Sequence, residues 1–69
     1  MSDDLTPAQQ DRIADIRVKI DNLIDEVTDV GLDLLREAVD KGATSRPAAD
    51  KSLAAARRAL EKASRSLEL

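Results

Sequence analysis

The segment IADIRVKIDNLIDEVTDVGLDL, residues 13–34, decides the fold of this chain. Its branched apolar residues recur in alternating steps of three and four, the heptad repeat of a helix that packs against another helix. In heptad letters, the a positions are Ile13, Ile20, Val27 and Leu34, and the d positions are Ile16, Leu23 and Val30. Because the repeat passes through Gly31 in phase, it predicts one long helix without a break there.

Local signals mark both ends of this helix. Thr6, Pro7 and Gln9 form a Thr-Pro-x-Gln start, in which the threonine caps the helix and the glutamine completes a capping box. Lys41 followed by Gly42 is typical of a helix end. We therefore predict a tail and cap over residues 1–6 and a helix over residues 7–41.

A second helix follows a short polar connection. Residues 42–46 predict a turn, and Pro47 opens a helix over residues 47–67. Its apolar positions alternate alanine with leucine, and we call them the Leu/Ala seam: Ala49, Leu53, Ala56, Leu60, Ala63 and Leu67. Two helices joined by a short turn are antiparallel neighbours, so the sequence predicts one all-α domain, an antiparallel helical hairpin.

The a and d positions of the first helix are expected to face the Leu/Ala seam. The predicted layers pair Leu34 with Ala56, Val30 with Leu60, Val27 with Ala63 and Leu23 with Leu67. In that register the second helix ends opposite Leu23, so Ile13 and Ile16 lack cover and Ile20 has little.

A flanking stripe adds further apolar surface to the first helix. It consists of Ile24, Thr28, Gly31, Leu35 and Ala38. One hairpin cannot bury both faces of its longer helix, so we expect a homodimer that forms a four-helix bundle. The predicted oligomer interface comprises Ile13, Ile16, Ile20, Ile24, Gly31 and Leu35.

Charge differs between the two halves. Residues 1–42 carry eleven acidic and five basic side chains, whereas residues 43–69 carry three acidic and six basic ones. Five acids follow each other at intervals of four residues, and we call them the acidic ridge: Asp21, Asp25, Asp29, Asp33 and Glu37. The basic stripe of the second helix comprises Lys51, Arg58, Lys62 and Arg65. Either set is a solvated surface or a binding surface for a charged partner.

The composition excludes several classes of chemistry. The chain has no cysteine and no histidine, so it lacks disulfides, thiol nucleophiles, Ser-His-Asp triads and His-ligated metals. We expect no catalytic residue, no metal and no cofactor. No apolar run is long enough to cross a bilayer, and the first residues are acidic where a signal peptide is basic. The sequence therefore predicts a cytoplasmic protein without a membrane partner.

These features favour a non-enzymatic protein–protein interaction module, an adaptor, assembly factor or inhibitor that acts as a homo-oligomer. The alternative is a small nucleic-acid-associated regulator that uses the basic stripe. Nucleic acid is the less favoured partner because the chain is acidic overall and has no aromatic residue to stack on bases.

A short fragment raises a third alternative, a helical enzyme. IRVKID, residues 16–21, is similar to the Leu-Arg-x-x-Ile-Asp opening of the first helix in all-helical chorismate mutases. In that resemblance Arg17 matches an arginine that binds a substrate carboxylate. The pattern departs at Ile24 and Leu34, where the family has an aspartate and an arginine, and the third helix is missing.

Overall fold

A computed structural model describes residues 4–42 and 48–69 of the chain. They form two helices, α1 (Pro7–Asp40) and α2 (Ala48–Ser66), and contain no strand. The predicted turn and the start of the second helix at Pro47 fall largely on residues 43–47, which lie outside the described residues. The chain is therefore all-helical in the described residues, with α1 much the longer helix.

The caps of α1 form as the sequence predicts. The Thr6 side chain accepts a hydrogen bond from the Gln9 amide at 3.1 Å, and the Thr6 amide donates to Gln9 Oε1 at 2.9 Å. At the other end Gly42 has a φ of 76°, a left-handed conformation that glycine adopts without a steric penalty. The helix continues through Gly31, which confirms the unbroken heptad repeat.

The two helices pack against each other in antiparallel directions. Arg17 near the start of α1 forms an ion pair with Glu68 after the end of α2, at 3.2 Å. The Ser64 hydroxyl donates to Asp21 Oδ1 at 2.9 Å, and Gly31 lies beside Asp50 at the opposite end. These contacts fix both the direction and the register of α2.

The observed register differs from the predicted one by more than a helical turn. Glu68 contacts Arg17, whereas the prediction set Leu67 opposite Leu23. The predicted layers, Leu34 with Ala56, Val30 with Leu60, Val27 with Ala63 and Leu23 with Leu67, are therefore wrong. Because α2 reaches further along α1, Ile13 and Ile20 are both partly buried, so the expectation that Ile13 lacks cover and Ile20 has little is wrong. Ile16, which was also expected to lack cover, is 43% exposed.

The face of α1 that contacts α2 also differs from the expected one. Every a position and every e position from residue 13 to residue 38 is partly buried, whereas the d positions are exposed. The partly buried set comprises Ile13, Arg17, Ile20, Ile24, Val27, Gly31, Leu34 and Ala38, joined by Thr28 and Leu35. The flanking stripe predicted for self-association is thus part of the intrachain contact.

Short side chains line part of this contact. The two buried residues of the described chain, Asp50 and Ser64, lie on α2, and Gly31 and Ala38 occupy successive e positions of α1. A Cβ built on Gly31 would lie 3.9 Å from Asp50 Oδ1, which shows how closely this glycine approaches α2. Small residues let two helices approach, and Gly31 and Ala38 supply them in the second half of α1.

The resulting molecule is a thin rod. Its extents are 55 × 16 × 10 Å and its radius of gyration is 16.6 Å, against about 11 Å for a compact chain of this length. The two helices lie side by side, so the hairpin is a single layer of helices. None of the described hydrophobic residues is buried.

Candidate protein–protein interface

The d positions of α1 form an exposed apolar stripe, which we call the d stripe. Ile16 is 43% exposed, Leu23 is 47% exposed and Val30 is 49% exposed. They recur every seven residues along about 20 Å of helix, so they line one side of α1. Since α2 packs against the a and e positions, the d stripe forms one flank of the hairpin.

The Leu/Ala seam of α2 borders the same flank. Leu53, Leu60 and Leu67 are partly buried at the edge of the helix contact, while Ala49 and Ala56 are exposed beyond them. Because α2 runs antiparallel to α1, equivalent heptad positions of the two helices lie on the same side of the hairpin. The seam therefore lies on the side that carries the d stripe. The d stripe and the seam therefore make one continuous apolar surface, which we call the apolar face.

The predicted oligomer interface is divided between two environments. Ile16 belongs to the d stripe, whereas Ile13, Ile20, Ile24, Gly31 and Leu35 are partly buried. Leu35 and Gly31 line a groove that Leu53 of α2 also lines. The predicted interface omitted Leu23 and Val30, although the heptad letters marked both of them.

The acidic ridge does not occupy a single face of α1. Residues four apart differ by about 40° in their direction around a helix. The five members of the ridge therefore turn gradually from the α2 side of α1 to the side away from α2. Asp21 accepts the hydrogen bond from Ser64, and Asp33 lies 3.7 Å from Arg36. Within the hairpin, Asp21 is thus hydrogen-bonded to α2 and Asp33 is paired with a base of its own helix.

Glu37, the last member of the acidic ridge, forms the shortest of these ion pairs. Lys41 Nζ donates to Glu37 Oε1 at 2.8 Å, one turn further along the chain. This hydrogen bond and the lysine charge lower the pKa of Glu37, and the carboxylate raises the pKa of Lys41 in return. Both groups are exposed, so the pair acts locally at the end of α1.

The basic stripe remains on the surface. Lys51, Arg58, Lys62 and Arg65 are all exposed, on the side of α2 that lies away from the Leu/Ala seam. The ion pairs of the described residues join Arg17 to Glu68, Asp33 to Arg36 and Glu37 to Lys41, so no member of the basic stripe takes part in them. The apolar face and the basic stripe are separate surfaces of the hairpin.

Arg17 is engaged within the hairpin. One of its terminal nitrogens contacts Glu68, and its Nε is buried without a hydrogen-bond partner in the described residues. Its stem borders an open groove at the N-terminal end of α1, lined also by Leu5, Ile13, Leu67 and Leu69. The arginine highlighted by the chorismate mutase resemblance therefore supports the helix contact here.

The described residues contain no group of three or more acidic side chains placed to hold a metal ion. Neither α1 nor α2 is long and apolar enough to cross a membrane. No family model, curated protein or solved structure matches the chain.

Proposed function

We propose that the chain is a non-enzymatic helical protein–protein interaction module whose first partner is a second copy of itself. Two hairpins stack through their apolar faces and form a four-helix bundle. One observation carries this proposal: the hairpin is one layer thick, and no described hydrophobic residue is buried. Stable domains are built from at least two packed layers around a shared core, so a second layer has to come from outside the chain.

The surface area of the hairpin agrees with this requirement. Its accessible surface is 5449 Å², whereas a compact monomeric protein of 7.5 kDa exposes about 4,200 Å². A standard protein–protein interface buries about 800 Å² of each partner. The excess surface of the hairpin is large enough to supply an interface of that size.

The apolar face provides the chemistry for such stacking. Full burial of Ile16, Leu23 and Val30 would contribute about 1.5–3 kcal/mol each, reduced here because each is already half-covered. The exposed Ala49 and Ala56 of the seam leave room for larger side chains of the second copy. Stacking of this kind gives each copy the core that it lacks alone.

Other charged side chains remain outside such a dimer. Asp25 and Asp29 of the acidic ridge are exposed, as are Lys51 and Arg58 of the basic stripe. We propose that these outer surfaces bind a protein partner of complementary charge, as an adaptor, assembly factor or inhibitor does. Binding of this kind needs no catalytic group and no cofactor.

A pair of matched substitutions tests the dimer. Leu23→Asp places a charge at the centre of the d stripe, where a monomer would tolerate it because the side chain is 47% exposed. Val18→Asp introduces the same charge at a residue that is 58% exposed and lies on the side of α1 opposite the d stripe. We expect light scattering to show that Leu23→Asp converts the dimer to a monomer, whereas Val18→Asp stays dimeric.

Two results would contradict the proposal. If wild-type protein is a monomer in the micromolar range, the apolar face is not a self-association surface. If wild type is dimeric and Leu23→Asp keeps the dimer mass, the copies associate through another surface.

A further inference from the structure

The outer edge of the apolar face has an ordered pattern of charge. Four g positions of α1 lie next to the d stripe and are exposed: Arg12, Lys19, Glu26 and Asp33. The two nearer the N-terminus are basic and the two nearer the C-terminus are acidic. From Arg12 to Asp33 this flank is therefore neutral, although α1 as a whole is strongly acidic. A fifth exposed g position, Asp40, adds one acid at the end of the helix.

Most of these charges form no ion pair among the described residues. The ion pairs of the described residues leave out Arg12, Lys19 and Glu26, and Asp33 makes only a long contact with Arg36, at 3.7 Å. Like g positions face each other when two heptad helices pack antiparallel, because the direction of one helix is reversed. A base-base-acid-acid order is therefore complementary to itself only in the antiparallel arrangement.

The positions of the charges agree with the dimensions of α1. When α1 packs antiparallel on a second α1 with the symmetry axis beside Leu23, Lys19 falls opposite Glu26 of the second copy. Arg12 then falls opposite Asp33 of the second copy, and the two-fold symmetry repeats both pairs. Leu23 lies at the middle of the helix Pro7–Asp40, so this register overlaps the two long helices over nearly their whole length. A further acid at a g position, Asp40, falls opposite residue 5, before the helix begins.

We propose that the two copies associate with α1 antiparallel to α1, with a two-fold axis perpendicular to the helices beside Leu23. This inference rests on the proposed dimer and adds its arrangement. The competing arrangement sets α1 of one copy against α2 of the other. In that arrangement the g positions of α1 would face the g positions of α2, which are Ser52, Ala59 and Ser66 and carry no charge. The order of charges along α1 would then not contribute to the contact.

Charge reversal distinguishes the two arrangements. In Lys19→Glu both copies present an acid to Glu26, and in Glu26→Lys both present a base to Lys19. We expect each single variant to raise the dissociation constant of the dimer about tenfold, since two exposed attractive pairs become repulsive. The double variant Lys19→Glu/Glu26→Lys and an equimolar mixture of the two single variants should both return to the wild-type value.

The affinity measured in the mixture distinguishes the two arrangements most clearly. When the helices are antiparallel, position 19 of each copy faces position 26 of the other, so a heterodimer of the two single variants sets an acid opposite a base in both pairs. Asp25→Lys serves as the control, because it makes the same charge change beside Glu26 but on the side of α1 opposite the d stripe. Sedimentation equilibrium at low salt gives the dissociation constants, and added salt should reduce the differences between variants.

Each result has a defined meaning. Restored affinity in the mixture and in the double variant, with no effect of Asp25→Lys, supports the antiparallel α1 contact. If the double variant is as weak as the single variants, or if none of the substitutions changes the affinity, the arrangement is overturned and the dimer remains. If wild-type protein is monomeric, the proposed dimer and its arrangement fail together.

Discussion

The Ser64 hydroxyl of α2 donates a hydrogen bond to Asp21 Oδ1 of α1 across 2.9 Å. Ser64 is one of two buried residues in the described chain, and Asp21 begins the acidic ridge. A member of the acidic ridge thus helps to set the register of the two helices. In a hairpin with few directional contacts, this bond and the Arg17–Glu68 ion pair define where α2 ends along α1.

Removal of this hydrogen bond should destabilise the hairpin. We expect Ser64→Ala to lower the free energy of unfolding by about 1 kcal/mol, because Asp21 loses a donor in a partly buried contact. Ser66→Ala is the matched control, since its hydroxyl donates to the Lys62 carbonyl of its own helix. Urea unfolding at a fixed protein concentration measures both changes. Equal losses in the two variants would show that the interhelical bond adds nothing to stability.

Alanine substitutions at the two glycines should change the stability of the hairpin in opposite directions. At Gly31 a methyl group would meet Asp50 Oδ1 at an ordinary 3.9 Å, so Gly31→Ala should gain up to about 1 kcal/mol of helix propensity. At Gly42 the backbone has a φ of 76°, which costs about 1 kcal/mol for a residue with a Cβ, so Gly42→Ala should destabilise. Thermal unfolding followed by circular dichroism gives both signs. Destabilisation by Gly31→Ala would mean that α2 lies closer to α1 than described.

The capping box should contribute to the stability of α1. Thr6→Ala removes the acceptor of the Gln9 amide, and we expect a loss of about 1 kcal/mol in the free energy of unfolding. The same measurement on Thr6→Ser should give nearly the wild-type value, because serine supplies an equivalent oxygen. A wild-type stability for Thr6→Ala would show that the start of α1 is frayed in solution.

The Glu37–Lys41 pair gives a pH dependence with a defined sign. Its hydrogen bond lowers the pKa of Glu37 below 4.5 in the folded chain, so the contribution of this carboxylate is present above pH 4.5. That contribution is lost as the pH falls through the lowered pKa. The pKa of Lys41 is raised above 10.5, so its contribution is lost only as the pH rises through that higher value. Carbon NMR titration of Glu37 in wild type and in Lys41→Gln checks this: we expect the lysine substitution to raise the pKa, and an unchanged pKa would contradict the pair.

The elements of this fold could be predicted because their signals are local. Thr6, Gln9 and Gly42 mark the ends of α1 through bonds and angles within a few residues of each other. The heptad repeat likewise shows that Gly31 lies inside the helix. None of these signals depends on where α2 packs.

The register and the contact face depend on contacts that no local pattern reveals. The a and d positions predict an apolar side of α1, but they serve equally for a partner within the chain or for one outside it. The contact buries Asp50 and Ser64 of α2, and neither stands out in the sequence as an interface residue. The d stripe therefore keeps Ile16 from the predicted interface and adds Leu23 and Val30, which α2 leaves exposed.

The central claim is that one hairpin is incomplete without a second copy. Its most direct test is the mass and the unfolding temperature of wild-type protein across a wide range of concentrations, by sedimentation equilibrium and circular dichroism. We predict a species of twice 7.5 kDa whose unfolding temperature rises with concentration, because association stabilises the folded state. A fully helical species of 7.5 kDa with an unfolding temperature independent of concentration would contradict the claim.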